Sequence, residues 1–259
     1  MSKSFKKALK VTGFVLLGCA LLFAASFIPT LWLQNSGMHV LNGNWITVYY
    51  ENHKEAAEDV FDLAEKEAGR LTQKLGFDEK QNLSLYIYDK QSTFQTKKYG
   101  LIALLLNLDW YIGDNKGTSA LLASPGETGM KNEYDLRKYA APHEMVHALN
   151  SILNSSMPKW LNDGSALYLT NGNPRDDLYD ISPIPTLSQM NTENPVAFAD
   201  MGGYEYAHTY IEFLDKTYGW NNILSLLKTG DYGSAIGKSK EILYDEWVKF
   251  LKENYSKKN

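Results

Sequence analysis

Cysteine is almost missing from this 259-residue chain; Cys19 is the only one. A lone thiol near the N-terminus excludes an intramolecular disulfide, a cysteine-ligated zinc and a cysteine nucleophile in the domain that follows. A packed core, helped where possible by a bound metal, has to hold that domain together. Internal repeats and low-complexity tracts are also lacking. Clustered positive charge is missing beyond the first residues: residues 1–34 carry four lysines and no acid, and the remainder holds 22 basic against 30 acidic residues. That balance excludes nucleic acid as the expected partner, since a duplex or single strand is gripped by a basic surface.

What is present begins with those lysines, Lys3, Lys6, Lys7 and Lys10, leading into the apolar run Val11–Leu33. Its 23 residues suffice to cross a bilayer as a helix, and the basic flank favours a cytoplasmic N-terminus. An uncleaved signal anchor fits best. Two alternatives stay open: a signal peptide cleaved after Ala24-Ala25-Ser26, and a lipoprotein site at Leu16-Leu17-Gly18-Cys19 with Cys19 acylated. All three readings put the following domain outside the cytoplasm, attached to or released from the cell membrane.

The division expected from the pattern is therefore residues 1–33 as anchor, 34–44 as an Asn- and Gly-rich linker, and 45–259 as one folded domain. Within that domain, Trp45–Tyr50 is dense in β-branched and aromatic residues and Leu83–Tyr88 alternates, and both predict strands. Between them, Ala57, Val60, Phe61, Ala64, Ala68, Leu71 and Leu75 recur at helical spacing and predict a helix over 54–75, ended by Gly76. A short helix fits 91–99. Leu101–Tyr111 is apolar enough for either strand or helix, and Thr118–Ser124 predicts a strand. From about residue 132 the pattern turns helical: 133–154, 158–170, 204–218, 220–228 and 240–254, with a polar loop over 171–203. The fold class expected is α+β, a small mixed sheet with helices followed by an all-helical half.

Within the predicted helix 133–154 stands His143-Glu144-Met145-Val146-His147. Two histidines four apart lie one turn apart on one helix face, so both imidazoles can reach a single ion. A hydrolytic zinc takes three protein ligands and keeps one position open, and a glutamate beside it can take a proton from water. His143 and His147 are thus candidate metal ligands and Glu144 the candidate general base. Pro142, directly before them, is expected to start or kink the helix. A third ligand should come from a later helix. Asp163, in Trp160-Leu161-Asn162-Asp163-Gly164-Ser165-Ala166, follows His147 by enough chain for one helix to end and another to return. Its competing readings are an outer partner that orients a histidine and a helix cap.

The run from His143 to Tyr168 resembles the gluzincin branch of zinc peptidases, the peptidase MA-like group with a thermolysin-like catalytic domain. In that group the second helix typically reads Trp-Leu-x-Glu-Gly-x-Ala, and here Asp163 stands in place of the glutamate, one methylene shorter. The resemblance implies a zincin-like fold, a Zn2+ cofactor held by His143, His147 and Asp163, and hydrolysis of a peptide or protein substrate. It also implies that the last strand before the metal helix is an edge strand that receives the substrate backbone, with Ala120–Ala123 lining the cleft. An oxyanion donor is implied downstream, and Tyr204, Tyr206 and His208 are the local candidates. The departure at Asp163 keeps a rival in view, an inactive peptidase fold that binds or senses in the envelope.

Overall fold

The computed structural model describes residues 3–106, 108, 110–129, 133–170, 172 and 174–257. The chain is mixed α+β and mostly helical, with one apolar helix at its N-terminus. That helix, α1 (Lys3–Ala25), runs on into a 3-10 turn, Ile28–Leu31. The stretch Lys10–Leu31 is 22 residues long with a mean hydropathy of 2.3, and none of it is buried against protein. By length and composition this stretch is sufficient to cross a membrane.

Five strands form one sheet: β1 (His39–Asn42), β2 (Ile46–Tyr50), β3 (Leu83–Tyr88), β4 (Gly113–Lys116) and β5 (Ser119–Ala123). Their order is β1-β2-β3-β5-β4, with β2, β3 and β5 parallel and the two outer strands antiparallel. His39–Asn42 lies inside the stretch expected to be a linker, and pairs along its whole length with β2. Alternation along the inner strands decides the two faces. Val48, Leu85, Ile87, Ala120 and Leu122 face the main core, while Tyr88, Leu121 and Ala123 join a smaller cluster with Met38 and Phe94.

The helix α2 (Lys54–Lys74) connects β2 to β3 and packs on the main-core face beside α4 (Tyr134–Leu153). The opposite face is covered by α3 (Gln91–Tyr99). Further on come α5 (Lys159–Leu169), the short α6 (Leu178–Ile181) and α7 (Pro195–Asp200), then α8 (Gly203–Tyr218), α9 (Trp220–Thr229), α10 (Tyr232–Ile236) and α11 (Lys240–Asn254). Trp160 and Trp247 meet edge-to-face at 5.8 Å, and Tyr210 meets Trp247 at 5.6 Å, so an aromatic knot ties α5, α8 and α11 together.

Several expectations need revision. Over Leu101–Tyr111, left open between strand and helix, the described residues form no strand, and Leu101–Leu105 makes a 3-10 turn. The edge strand is β4, not the strand over 118–124. Ala120–Ala123 lies between β3 and β4 and is buried on both faces, so it lines no cleft. An apolar residue at every position suits an interior strand, whereas Gly-Asp-Asn-Lys carries the composition of a turn and forms a strand only because the hairpin to β5 supplies its partner. The helix containing Pro142 starts two turns before it and runs past it without a break. The loop over 171–203 contains α6, α7 and a 3-10 turn, Gln189–Asn191. The junction expected near residue 132 lies outside the described residues.

Candidate metal centre

The helix α4 packs against β3, β5 and β4, and this lays the face carrying His143, Glu144 and His147 under the outer end of the sheet. Glu144 is 7% exposed and His147 9%, while His143 is partly open to a cleft of about 820 Å3. The two imidazoles stand edge-to-face with their Nε2 atoms 3.0 Å apart. Two nitrogens on one tetrahedral zinc lie about 3.3 Å apart, so the pair is set at close to the required span.

Asp163 arrives from α5. Its Oδ1 is 3.9 Å from His147 Nε2, and its Oδ2 accepts from Lys159 Nζ at 2.9 Å, one turn back on the same helix. One donor atom from each of His143, His147 and Asp163 lies within 4.8 Å of the other two. Close packing of α5 on α8 makes this possible. A Cβ on Gly164 would come within 2.6 Å of the Ala207 carbonyl oxygen and 2.9 Å of Ile211, so only glycine lets the helices approach this far. The approach shortens the distance an aspartate has to reach.

The donor set suits zinc: two imidazoles and one carboxylate from two rigid helices, meeting at the floor of an open cleft. Burial, neighbouring His147 and the Lys159 ammonium hold the His143 imidazole well below its ordinary pKa, so it stands neutral with a lone pair to donate. His147 is oriented from behind. Its Nδ1 donates to Asn162 Oδ1 at 2.9 Å, an oxygen that also accepts from Asn150 Nδ2 at 2.9 Å, and Asn150 in turn donates to Ser165 Oγ at 3.0 Å. With Nδ1 carrying the proton, Nε2 is the free nitrogen, and it is the one that faces His143.

Glu144 sits between α4 and the edge strand. A Cβ on Gly113 would fall 2.8 Å from Glu144 Oε1, so the strand leaves the carboxylate its space only as glycine. Burial raises the Glu144 pKa well above the usual carboxylate range, and the nearby Asp114 and Asp163 carboxylates raise it further. Asp114 belongs to a polar cluster on the cleft wall. Lys98 Nζ donates to its Oδ1 at 2.7 Å, the Tyr111 hydroxyl donates to its Oδ2, and Tyr99 reaches the Tyr111 hydroxyl at 2.9 Å.

The three oxyanion candidates separate cleanly. Tyr204 lines the cleft, and burial followed by the Asp163 and Glu144 charges pushes its phenol upward, keeping it a neutral donor. Tyr206 is fully buried, its hydroxyl donating to the Ser182 carbonyl at 2.9 Å. His208 packs edge-to-face on Tyr168 at 5.5 Å and is 8% exposed, away from the cleft. Lys159, Asn162 and the Asp114 cluster escaped the sequence reading. The step of four between Lys159 and Asp163 was visible in the chain, but surface helices are full of such pairs. Nothing local marked Asn162 or Asp114, because their partners lie on other elements.

No family model matches this sequence, and no curated protein matches it. Among solved structures, native yeast LTA4 hydrolase is similar with a TM-score of 0.45 and 15% identity, over 83% of this chain and 36% of that one. The chain thus spans little more than a third of the length of that protein.

Proposed function

We propose that this chain is a zinc-dependent peptidase of the gluzincin kind, anchored by α1, with residues 45–259 forming a catalytic domain outside the cytoplasm. One observation carries the reading: His143 and His147 from one helix and Asp163 from another bring their donor atoms within 4.8 Å of each other at a cleft floor, with Glu144 beside them. A zinc ion held there would supply Lewis acidity toward a scissile carbonyl and toward water, and its charge would offset the burial, and with it the carboxylate repulsion, that raise the Glu144 pKa.

The chain's own groups do the rest. Glu144, as a carboxylate, takes the proton of the attacking water and delivers it to the leaving amine. Tyr204, the one oxyanion candidate at the cleft, donates to the oxygen that gains charge. The outer strand β4, the sheet edge at the cleft, would pair with an extended polypeptide beside Glu144 in the place expected of Ala120–Ala123, the polypeptide displacing the Lys98 and Asp114 side chains that hold the Asn115 carbonyl and N–H. Asn162 and Asn150 keep His147 in the ligand tautomer throughout.

A second reading, an inactive fold that binds or senses, draws on the Lys159–Asp163 ion pair, which sets a cation on the carboxylate that a metal would need. Metal analysis of the purified full chain, with Asp163→Ala and Glu144→Gln beside it, separates the two. The peptidase reading expects one zinc per chain, weakened by Asp163→Ala and kept by Glu144→Gln. It further expects cleavage of a diverse peptide library, read by mass spectrometry, that Glu144→Gln abolishes. A folded chain that takes up no supplied zinc would remove the peptidase reading and leave the binding one.

A further inference from the structure

Among the described residues outside α1, exposed leucines are concentrated in one short turn. In the 3-10 turn after α3, Leu101 is 48% exposed, Leu104 59% and Leu105 85%, and Leu106 just beyond it is 51% exposed. Such a concentration of bare leucines is unusual on a water-soluble surface and marks a place where something else sits.

The backbone shows where this turn lies. Leu101 N donates to the Ser26 carbonyl at 2.7 Å, and Ser26 belongs to the apolar stretch Lys10–Leu31. The contact is tight: a Cβ on Gly100 would come within 2.5 Å of that carbonyl oxygen. The chain leaving α1 is then fastened to the domain at successive points. Lys116 Nζ donates to the Thr30 carbonyl, Lys97 Nζ to the Trp32 carbonyl at 2.7 Å, and Tyr88 Oη to the Leu33 carbonyl at 2.7 Å. No free tether separates anchor from domain. A turn bonded to Ser26 is therefore level with the outer end of the spanning stretch, and exposed Phe27, Ile28 and Trp32 extend the same surface.

We propose that the Leu101–Leu106 turn docks into the outer leaflet of the bilayer that α1 crosses, and so fixes the domain face-down on the membrane. Lipid is the occupant that the continuity with α1 selects, because the same depth that covers Phe27 and Ile28 covers these leucines. Trp110 lines the catalytic cleft a few residues beyond the turn, and Leu136 and Tyr139 stand exposed at its wall. The cleft mouth consequently opens beside the membrane surface. Resting on the peptidase reading above, this assigns as substrates polypeptide segments that lie on the bilayer or emerge from it.

The test uses the full chain in phosphatidylcholine vesicles, with a fluorophore on single cysteines. The native Cys19 reports α1, Leu105→Cys in a Cys19→Ser background reports the turn, and Ile242→Cys in the same background reports α11. Leu105 is almost wholly exposed, so its substitution is expected to leave the thermal midpoint unchanged. Lipids brominated near the headgroup are expected to quench the Leu105 label strongly and the Ile242 label little, while deeply brominated lipids quench the Cys19 label. Quenching at Cys19 with Leu105 behaving like Ile242 would overturn the docking while leaving the anchor intact. No quenching at any site would overturn both. Shielding of Leu105 by crosslinking to a second copy, without lipid quenching, would also overturn it. None of these signals depends on turnover, so failure of the peptidase reading shows separately, in the library assay.

Discussion

Asn162→Leu isolates the orientation of His147 from its presence. The Asn162 amide oxygen accepts from His147 Nδ1 at 2.9 Å and from Asn150 Nδ2 at 2.9 Å. Leucine keeps the same count and branching of side-chain heavy atoms, though its methyl groups are bulkier, and offers no acceptor, so both donors lose that partner. Asn150, 1% exposed, keeps Ser165 Oγ at 3.0 Å, which leaves the imidazole N–H as the main stranded group. A buried donor without an acceptor costs about 1–3 kcal/mol, and the lower half of that range applies because the cleft lets water approach. In a domain of this size each kcal/mol lowers the thermal midpoint by roughly 2–4 °C.

The larger effect falls on the metal. Without Asn162 nothing selects the Nδ1–H tautomer, and loss of such an outer partner typically lowers metal affinity by about 10–100-fold. In free energy that is about 1.4–2.7 kcal/mol. Asn162→Asp keeps an acceptor in the same place and should bind zinc at least as tightly as the parent. Competition against a zinc-binding chromophore near neutral pH measures all three proteins. Wild-type affinity in the leucine variant, or equal weakness in both variants, would refute the tautomer argument and reduce Asn162 to packing.

Four further outcomes follow from the same geometry. Gly164→Ala forces α5 off α8, since its Cβ would meet the Ala207 carbonyl at 2.6 Å; a loss of about 1–3 kcal/mol is expected with weaker zinc binding, read by denaturant titration and the chromophore assay. In the metal-free protein, the Glu144 pKa is raised by burial and by Asp114 and Asp163, so the folded state binds the proton more tightly than the unfolded one. Its stability should fall as pH rises above the ordinary carboxylate range, and Glu144→Gln should flatten that fall in pH-dependent thermal melts. Tyr204→Phe should lower kcat by about 100-fold with zinc content unchanged, on any substrate the library assay yields. Glu65 accepts from the backbone N–H groups of Asn44, Trp45 and Ile46 at 2.6–3.2 Å, so Glu65→Ala should cost about 1–3 kcal/mol in denaturant titration by loosening the β1–β2 turn.

Much of the frame was legible before any coordinates. The helix over 54–75 and the strand over 83–88 stand within a residue of where periodicity put them, because each has a buried face and a regular spacing that advertises it, and the short helix expected over 91–99 is also present. The strand β4 was illegible for the opposite reason. Its four residues are polar, and their strand conformation depends on hydrogen bonds to a neighbour that the local pattern does not name. The turn at Leu101–Leu105 was ambiguous because Leu101, Leu104 and Leu105 are exposed while Ala103 is buried, a pattern with neither helical nor strand period.

At the centre, the chain by itself determined the chemistry on offer. His143, Glu144 and His147 share a helix face whatever the rest does, since a spacing of four is fixed by helical geometry. Tertiary structure alone decided what that face meets. Tight packing of α5 on α8 brings Asp163 within reach of the histidines. The edge strand sets Gly113 against Glu144. The turn of α8 puts Tyr204 in the cleft and leaves Tyr206 and His208 in the core. Each of these joins residues far apart in sequence, and a contact of that kind is settled by how helices and sheet bury their apolar faces together, not by any spacing along the chain.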